Sequence, residues 1–506
     1  MRAKSLMVMG TASDVGKSVV VTALCRAFAR AGVCVVPFKS QNMSNNAAVC
    51  PGGGEIGRAQ AVQAEACGLE PTVDMNPVLL KPETETGCQV VIRGQARFRM
   101  RVHDHARYRA AAWPEIVGSY RTLVERFDVV IIEGAGGAAE INLRDRDIVN
   151  WAIAELADAP VLLVADIDKG GVFASLVGTI ELLSPTERQR VKGFLINKFR
   201  GDRTLLESGL QFLEQRTGIP VIGVLPYVRE LRIPAEDAAT LDASRSPSAK
   251  REVMIGVVCV PRIANYTDFA PLEEEPDVAV HYLTDPATAP RLDMLILPGS
   301  KSTVADLRWL RQAGWEDYLV RHLRARGWVI GVCGGYQMLG HRILDPQGVE
   351  SDTGEIVGLG LLDVTTCFDA EKITAQVQGY ELSTKLPIFG YEIHAGRVTR
   401  QKSAQPLFRL SQRNSHAVDE LEGAQSTDGR IVGTAIHGVF ESSQFRRGMV
   451  DCVRTAKGLA SLVAAASVDP AVRRIQEYDR FANVLEANAD VARIAALVGC
   501  DGSYCR

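Results

Sequence analysis

Short apolar runs alternate with helix-length segments along the first half of this 506-residue chain. The runs are Leu6–Met9, Val33–Pro37, Val129–Ile132, Pro160–Ala165, Val191–Ile196 and Pro220–Leu225. Strands that are apolar throughout, rather than at every second position, are buried on both of their faces. Helices between consecutive strands cover those faces, so the pattern predicts an α/β fold built on a parallel sheet.

A second pattern of the same kind follows a change in composition. Residues 235–252 are mostly small, polar or charged, which is typical of a linker. Further buried strands are predicted at Val253–Val260, Met294–Leu297 and Val329–Val332. After residue 448 apolar residues recur only near helical spacing. The sequence therefore predicts parallel-sheet domains at 1–234 and 253–448, a linker at 235–252, and a helical C-terminal tail at 449–506.

Composition excludes several classes of function. The net charge is only −3 and no long run of lysine and arginine occurs, which argues against a nucleic-acid-binding protein. Eleven cysteines are scattered without a CxxC pair, so neither a zinc site nor a disulfide framework is indicated. The apolar runs are too short for a signal peptide or a membrane span. We therefore expect a cytoplasmic protein without nucleic-acid or membrane partners.

The segment Gly10–Ser18, with the sequence GTASDVGKS, joins the first predicted strand to a helix. Main-chain amides of such a loop, together with the helix N-terminus, bind phosphate oxygens. Lys17 then reaches the β- and γ-phosphates of ATP, and the Ser18 hydroxyl ligates Mg²⁺. The alternative is a glycine turn beside a surface lysine. The predicted ATP contacts are Gly10, Thr11, Gly16, Lys17 and Ser18.

Polar residues also follow the predicted strands at their carboxyl ends, where ligands bind in open α/β sheets. Glu133 precedes a glycine-rich turn, and we predict that it binds Mg²⁺ beside the phosphates rather than only capping a loop. Lys39 is either a ligand of the transferring phosphoryl group or a plain surface lysine. For the remaining acids, substrate binding or activation and helix capping are equally good interpretations. These acids are Asp145, Asp147, Asp166 and Asp168.

The segment Trp328–Leu339 predicts a strand, a sharp turn at Cys333 and a helix, which is the layout of a nucleophile elbow. The helix N-terminus favours the thiolate, and the amide of Gly334 is placed to stabilise an oxyanion. A second amide is expected from Gly299 or Ser300, which end an earlier strand. A thiol nucleophile also needs a base. His437, which follows an apolar strand, is one candidate and His394 is the other. The position of His437 near the end of its domain resembles class I glutamine amidotransferases, which implies that His437 is the base.

Both motifs resemble known families. The long phosphate loop is similar to that of dethiobiotin synthetase and its relatives, while Ala12 replaces the lysine typical of partition ATPases. In the dethiobiotin synthetase group an asparagine after a strand contacts adenine, which implies that role for Asn197. The order of Cys333 and His437 resembles class I glutamine amidotransferases. Val439 stands where those enzymes usually carry glutamate, so the orienting carboxylate is missing or is supplied elsewhere.

Four further segments resemble the cobyric acid synthase family, as does Tyr478-Asp479-Arg480 near the end of the chain. The segments are Phe38–Asn46, Glu140–Asn150, Asp166–Phe173 and Gly390–Gly396. The domain order and the missing glutamate are also similar to that family. The resemblance implies a P-loop, dethiobiotin synthetase-like domain followed by a flavodoxin-like glutamine amidotransferase domain.

The resemblance also implies an activity. ATP and glutamine would drive amidation of the b, d, e and g carboxylates of adenosylcobyrinic a,c-diamide through an acyl phosphate, with ammonia released at Cys333. One alternative is cobyrinic, or hydrogenobyrinic, acid a,c-diamide synthase. Others are a simple dethiobiotin synthetase, or a P-loop ATPase switch or scaffold with an inactive amidotransferase domain. Homo-oligomerisation is left open.

Overall fold

The computed structural model describes residues 3–83, 87–101, 104–229, 233, 251–462 and 469–500. The predicted linker, 235–252, lies outside these residues except at its last two positions. The first half and the second half are therefore described on either side of it. Within the described residues, no helix is both long and apolar enough to cross a membrane.

The first half alternates strands and helices, as the apolar runs predict. Its strands are β1 (Lys4–Gly10), β2 (Val35–Phe38), β3 (Gln41–Met43), β4 (Ala47–Val49), β5 (Glu55–Gly57), β6 (Val78–Pro82), β7 (Gly87–Ile92), β8 (Gln95–Arg101), β9 (Val129–Glu133), β10 (Val161–Asp166), β11 (Val191–Phe199) and β12 (Val221–Pro226). Its helices are α1 (Lys17–Arg30), α2 (Arg58–Ala66), α3 (His105–Val124), α4 (Trp151–Leu156), α5 (Val172–Leu182), α6 (Pro185–Arg190) and α7 (Glu207–Thr217).

Six of these strands form one parallel sheet in the order β12-β11-β10-β1-β9-β2. Every residue of β9 and β10 is buried, which explains why these strands are apolar without interruption. The chain leaves β1 for β2 on one side and later adds β10 on the other. The loops after β1, β2 and β9 consequently meet at the carboxyl edge beside this switch point, where α/β proteins bind ligands.

The second half contains a parallel sheet and a long antiparallel one. Its strands are β13 (Val253–Val258), β14 (Ile263–Ala264), β15 (Val278–Leu283), β16 (Met294–Leu297), β17 (Gly299–Ser300), β18 (Trp328–Val332), β19 (Arg342–Leu344), β20 (Glu355–Val357), β21 (Val364–Glu381), β22 (Pro387–Arg400), β23 (Phe408–Arg413), β24 (His416–Glu422), β25 (Ala424–Gln425), β26 (Ile431–Thr434) and β27 (Ile436–His437). Its helices, including those of the C-terminal tail, are α8 (Ala270–Glu273), α9 (Thr303–Gln312), α10 (Trp315–Arg324), α11 (Gly334–Leu339), α12 (Ser443–Ala456), α13 (Pro470–Asn488) and α14 (Val491–Leu497).

The main sheet of this half has the order β15-β13-β16-β18-β26-β25, parallel except for the short edge strand β25. Two α/β sheets in one chain confirm the predicted fold class. The sequence did not predict the seven-stranded sheet built around the β21–β22 hairpin, nor the four-stranded sheet β3-β6-β7-β8. No residue of β8 is buried, and buried residues of β21 are interspersed with half-buried and exposed ones, so these strands lack the continuous apolar run used for prediction.

The C-terminal helices α13 and α14 pack on the first sheet. Tyr478 and Leu485 belong to the same apolar cluster as Leu6 and Val8, and the Asp490 amide donates to the carbonyl of Ile222 over 2.9 Å. The tail is helical where the structure describes it. The predicted boundary between residues 448 and 449 falls inside α12, because that helix carries no sequence break at this point.

Candidate active site

Cys333 lies at the turn between β18 and α11 in a strained backbone conformation, with φ 49° and ψ −105°. Such strain is typical of a nucleophile elbow, which points its side chain away from the sheet. The neighbouring glycines are required for space. A Cβ on Gly335 would lie 2.0 Å from the Leu297 carbonyl oxygen, and one on Gly299 would lie 2.8 Å from His437 Cε1. The close approach of these segments explains the small residues around the cysteine.

The His437 imidazole interacts with the Cys333 thiol, and the Cys333 Sγ also lies 3.7 Å from the Ile393 carbonyl oxygen. On the far side of the ring, His437 Nδ1 lies 2.6 Å from Asp268 Oδ2. The other carboxylate oxygen of Asp268 accepts a hydrogen bond of 3.0 Å from the Gly438 amide. All three reacting side chains are buried. The arrangement is that of a nucleophile, a base and an orienting acid.

Asp268 supplies the carboxylate that the sequence left unassigned. It belongs to the 3₁₀ helix Tyr266–Phe269 and precedes His437 by 169 positions. A buried acid this distant carries no local signature, so only the fold could identify it. Asp268, near the start of the second half, thus takes the place of the orienting glutamate. Val439 packs in the apolar core instead.

Electrostatics around His437 favour its protonated form. Burial alone lowers the pKa of His437, but the negative charges of Asp268 and Cys333 outweigh burial and raise that pKa to about 10. A protonated imidazole beside a sulfur atom stabilises the thiolate, which is the reactive form of cysteine. The site therefore keeps the His437 imidazole protonated beside the Cys333 sulfur at neutral pH.

The main-chain amides beside Cys333 can be compared as candidate oxyanion donors. The short strands β14 and β17 are antiparallel, and just beyond them the Lys301 amide donates to the Arg262 carbonyl over 2.9 Å. In an antiparallel pair, residues that exchange hydrogen bonds alternate with residues that do not. The amide of Gly299 consequently faces β14, whereas that of Ser300 faces away from it. A Cβ on Gly334 would lie 2.8 Å from the Ser300 nitrogen, so these two main-chain segments lie side by side. Ser300 and Gly334 are the better-placed donors.

A cavity of about 110 Å³ lies beside the thiol, and both halves of the chain line it. The first half contributes Lys81, Gln89, Ala96 and Arg99, and the second half includes Cys333, Gln337, Lys372, His394 and His437. His394 Nδ1 is hydrogen-bonded to the Gly396 carbonyl over 2.7 Å. The imidazole in contact with the thiol is His437, which supports it over His394 as the base.

The phosphate loop has the expected geometry around Gly16, whose φ of 96° favours glycine. Lys17 Nζ donates to the carbonyls of Ala12 and Gly136, over 3.0 and 2.9 Å. Asn197 donates to the Val15 carbonyl over 2.9 Å, so its amide supports the loop. A role of this residue at adenine stays a prediction.

Glu133 is the centre of a buried polar cluster at the end of β9. Its Oε1 accepts from Ser18 over 2.8 Å and from Lys39 over 2.9 Å, and its Oε2 accepts from Gln63. A hydroxyl and a carboxylate oxygen this close fit Mg²⁺, which prefers oxygen ligands. The Lys39 ammonium holds the same oxygen, so the metal and Lys39 compete for it. Gln63 was not foreseen, because a glutamine inside a helix carries no motif.

The remaining candidate acids have local partners. Asp147 accepts from the amides of residues 149, 150 and 152 and so caps the start of α4. Asp166 pairs with Lys198 over 2.8 Å, and Asp168 pairs with Arg200 over 2.7 Å. Asp145 is exposed. Asp147 thus has a capping role in the structure, while a substrate or activation role for all four acids stays a prediction.

Known proteins share both halves of this architecture. Residues 6–241 match the CobQ/CobB/MinD/ParA nucleotide binding domain, and residues 254–445 match the CobB/CobQ-like glutamine amidotransferase domain. Cobyric acid synthase of Sorangium cellulosum (strain So ce56) is 48% identical over 99% of this chain and 100% of its own length. Cobyric acid synthase of Dehalococcoides mccartyi (strain CBDB1) is 46% identical over 98% of this chain and 99% of its own length.

Proposed function

This chain belongs to the cobyric acid synthase family of glutamine-dependent amidoligases, and from that premise we propose how its two sites divide the reaction. The proposed substrate is adenosylcobyrinic a,c-diamide, whose b, d, e and g carboxylates become amides. The second half releases ammonia from glutamine, and the first half activates the carboxylate with ATP. Each turnover of both sites forms one amide.

Glutamine would bind in the cavity beside Cys333. The thiolate attacks the side-chain amide carbon, and the main-chain amides of Ser300 and Gly334 stabilise the resulting oxyanion. His437, protonated and oriented by Asp268, donates its proton to the departing ammonia. The neutral imidazole then deprotonates a water molecule, which hydrolyses the glutamyl thioester and regenerates the thiol pair.

In the first half, the loop Gly10–Ser18 and Lys17 would hold the ATP phosphates, and Lys39 would lie near the transferring group. Mg²⁺, when bound by Ser18 and Glu133, would neutralise phosphate charge. A carboxylate oxygen of the corrinoid attacks the γ-phosphorus and ADP leaves. Ammonia then adds to the acyl carbon, and phosphate departs with one former carboxylate oxygen.

The observation that carries this proposal is the contact of Cys333, His437 and Asp268 at a cavity walled by both halves of the chain. A nucleotide switch or scaffold has no use for a nucleophile, a base and an orienting acid in contact. A simple dethiobiotin synthetase would leave the whole second half without a role.

Replacement of Cys333 by serine tests the nitrogen source. Glutamine-driven amide synthesis should fall to background in Cys333→Ser, because the nucleophile is lost, while synthesis from added ammonium should continue. Cys452→Ser changes an exposed thiol and is the matched control, which should keep both activities. Glutamine-driven synthesis in Cys333→Ser would refute the assigned nucleophile.

Product mass tests the substrate. Incubation with glutamine and ATP should convert adenosylcobyrinic a,c-diamide to a product carrying four further amides. Conversion of cobyrinic or hydrogenobyrinic acid to its a,c-diamide instead would favour the alternative synthase. For the acyl phosphate, ¹⁸O placed in the corrinoid carboxylates should appear in released phosphate. Retention of all label in the corrinoid would exclude that intermediate.

A further inference from the structure

Helix α2 (Arg58–Ala66) contacts both reaction centres. At one end, Arg58 donates a hydrogen bond to the Tyr391 hydroxyl, and its guanidinium carbon lies 5.2 Å from the centre of that ring. One and a half turns later, Gln63 donates to the Glu133 carboxylate. These two residues are separated by about 7.5 Å along the helix axis. A single short helix therefore spans from the thiol centre to the nucleotide centre.

Tyr391 connects Arg58 to the reacting groups of the thiol centre. Its ring stacks on the His437 imidazole, with centroids 5.4 Å apart and planes 21° apart. Its hydroxyl lies 3.5 Å from Asp268 Oδ1. A shift of Arg58 thus acts on the ring that covers the base and on the acid that orients it.

A second connection joins α2 to the segment after His437. Arg474 of α13 lies 3.0 Å from Glu65 of α2 and 2.7 Å from Glu441. The Tyr478 hydroxyl also donates to Glu65 over 2.7 Å. Because Glu441 follows His437 by one short turn, α2 contacts the base-bearing segment through a charged bridge as well as through Tyr391.

Arg58 and Gln63, the residues of α2 that contact the two centres, each also have one polar atom without a hydrogen bond. Arg58 Nε and Gln63 Oε1 are buried and have no hydrogen-bond partner among the described residues. Such atoms are destabilising, since a buried polar group ordinarily finds a partner. A shift of the helix that gave these atoms partners would remove that cost.

We propose that α2 couples the two centres, with Arg58, Gln63 and Glu65 as positioning residues for glutamine hydrolysis. A ligand that binds Glu133 competes with Gln63 for the carboxylate, α2 then shifts as a unit, and Tyr391 and the segment after His437 move with it. Glutamine hydrolysis consequently accelerates when the nucleotide site is loaded. This inference rests on the proposed function, but it concerns the dependence of one site on the other.

Glutaminase rates test the coupling. For the whole chain, the Mg²⁺ complex of a hydrolysis-resistant ATP analogue should raise kcat for glutamine hydrolysis by about fivefold or more, the lower end of the affinity changes seen between coupled sites. Arg58→Ala and Gln63→Ala should reduce that stimulation to near unity. Gln376→Ala is the matched control, because it removes a 2.9 Å hydrogen bond between the halves, to the Val49 carbonyl, away from α2. It should retain the stimulation.

Separate values of kcat and KM for glutamine distinguish a role of Arg58 in positioning the reacting groups from a general loosening of the cavity. Arg58 does not line the cavity, so Arg58→Ala should change the stimulated kcat while leaving KM for glutamine near the wild-type value. Full stimulation in both α2 variants, or a wild-type enzyme whose glutaminase ignores the nucleotide analogue, would overturn the proposal. Amide synthesis by the wild type is measured in parallel, and its absence would refute the proposed function instead.

Hydrogen–deuterium exchange tests the same coupling without a variant. The nucleotide analogue with Mg²⁺ should alter amide exchange in residues 58–66 and also in residues 387–400 and 436–441. Gln63→Ala should remove the response of the two distant segments. Exchange that changes only in the phosphate loop would overturn the proposal.

Discussion

The thiol centre and the nucleotide centre differ in how their charged groups are satisfied. Cys333, His437 and Asp268 contact one another in the order that the chemistry uses. Glu133, in contrast, is held by Lys39, Ser18 and Gln63, so binding a metal there requires exchange of existing partners. The side chains of the thiol centre already have the contacts that the reaction needs. The side chains of the nucleotide centre must change partners when a ligand binds.

The largest expected effect removes the orienting charge of the thiol centre. Asp268→Asn should lower kcat for glutamine hydrolysis by about 10⁴-fold, as loss of an orienting carboxylate does in a related triad. Ammonium-driven synthesis should be affected far less, because it does not use the thiol. Asp285→Asn, on an exposed turn, is the control. A glutaminase loss below about tenfold would show that the thiol pair does not depend on Asp268.

The next largest effect is expected from the ion pairs of Glu55, which lie where the two halves of the chain meet. Burial raises the pKa of Glu55, but Lys372 and Lys81 outweigh burial and hold that pKa at about 2. Glu55→Gln leaves two buried amino groups without a countercharge. Burial already lowers the pKa of Lys372 to about 7, and breaking the buried pairs should destabilise the fold by about 3–5 kcal/mol. Thermal unfolding measures the change. The stabilisation should persist above pH 4.5 and be lost as pH falls toward 2, because the folded-state pKa is depressed.

A compensating variant sharpens the Glu55 prediction. Glu55→Gln combined with Lys372→Met removes one of the stranded charges and should recover part of the lost stability. Since Lys81 and Lys372 also line the cavity, KM for glutamine should rise in the single variant. A single variant as stable as the wild type would show that the ion pairs contribute little to joining the halves.

Lys39 distinguishes the nucleotide centre from the thiol centre. Lys39→Met should slow amide synthesis by about 10²–10³-fold, the usual effect of losing one group that stabilises transition-state charge. The loss should be equal with glutamine and with ammonium as nitrogen donor, because the phosphoryl step precedes either. Rates with both donors provide the measurement. A defect confined to glutamine would assign Lys39 to the thiol centre instead.

The smallest expected effect is the pH dependence of the intact thiol pair. The pKa of His437 is raised to about 10, so the imidazolium and its ion pair with Asp268 persist at neutral pH. Glutaminase activity should therefore decline only as pH approaches 10. The stability contributed by the pair should be fully present below about pH 6.5 and be lost progressively as pH rises from there to about 10. In Asp268→Asn the alkaline limb should move toward neutral pH. An unchanged limb would exclude His437 as its source.

Local motifs account for what the sequence revealed about these sites. The phosphate loop and the Cys333 elbow are each written in consecutive residues, so their strand–turn–helix context was predictable. Asp268, Gln63 and Tyr391 act through distant partners and have no such signature. The β21–β22 hairpin escaped prediction for a related reason, since a half-exposed strand alternates polar and apolar residues and resembles other amphipathic segments.

The packing of the final helices on the first sheet has a consequence for biosynthesis. Strands β1–β12 leave the ribosome long before Tyr478, Phe481 and Leu485 are made, yet these side chains cover part of their apolar surface. At about 5–20 residues per second, the delay is on the order of ten seconds or more. A nascent chain thus carries an uncovered apolar face until residues 478–485 have been made. A chain that stops before residue 478 should leave this face of the sheet exposed, and limited proteolysis of such a truncation should cut it faster than the full chain.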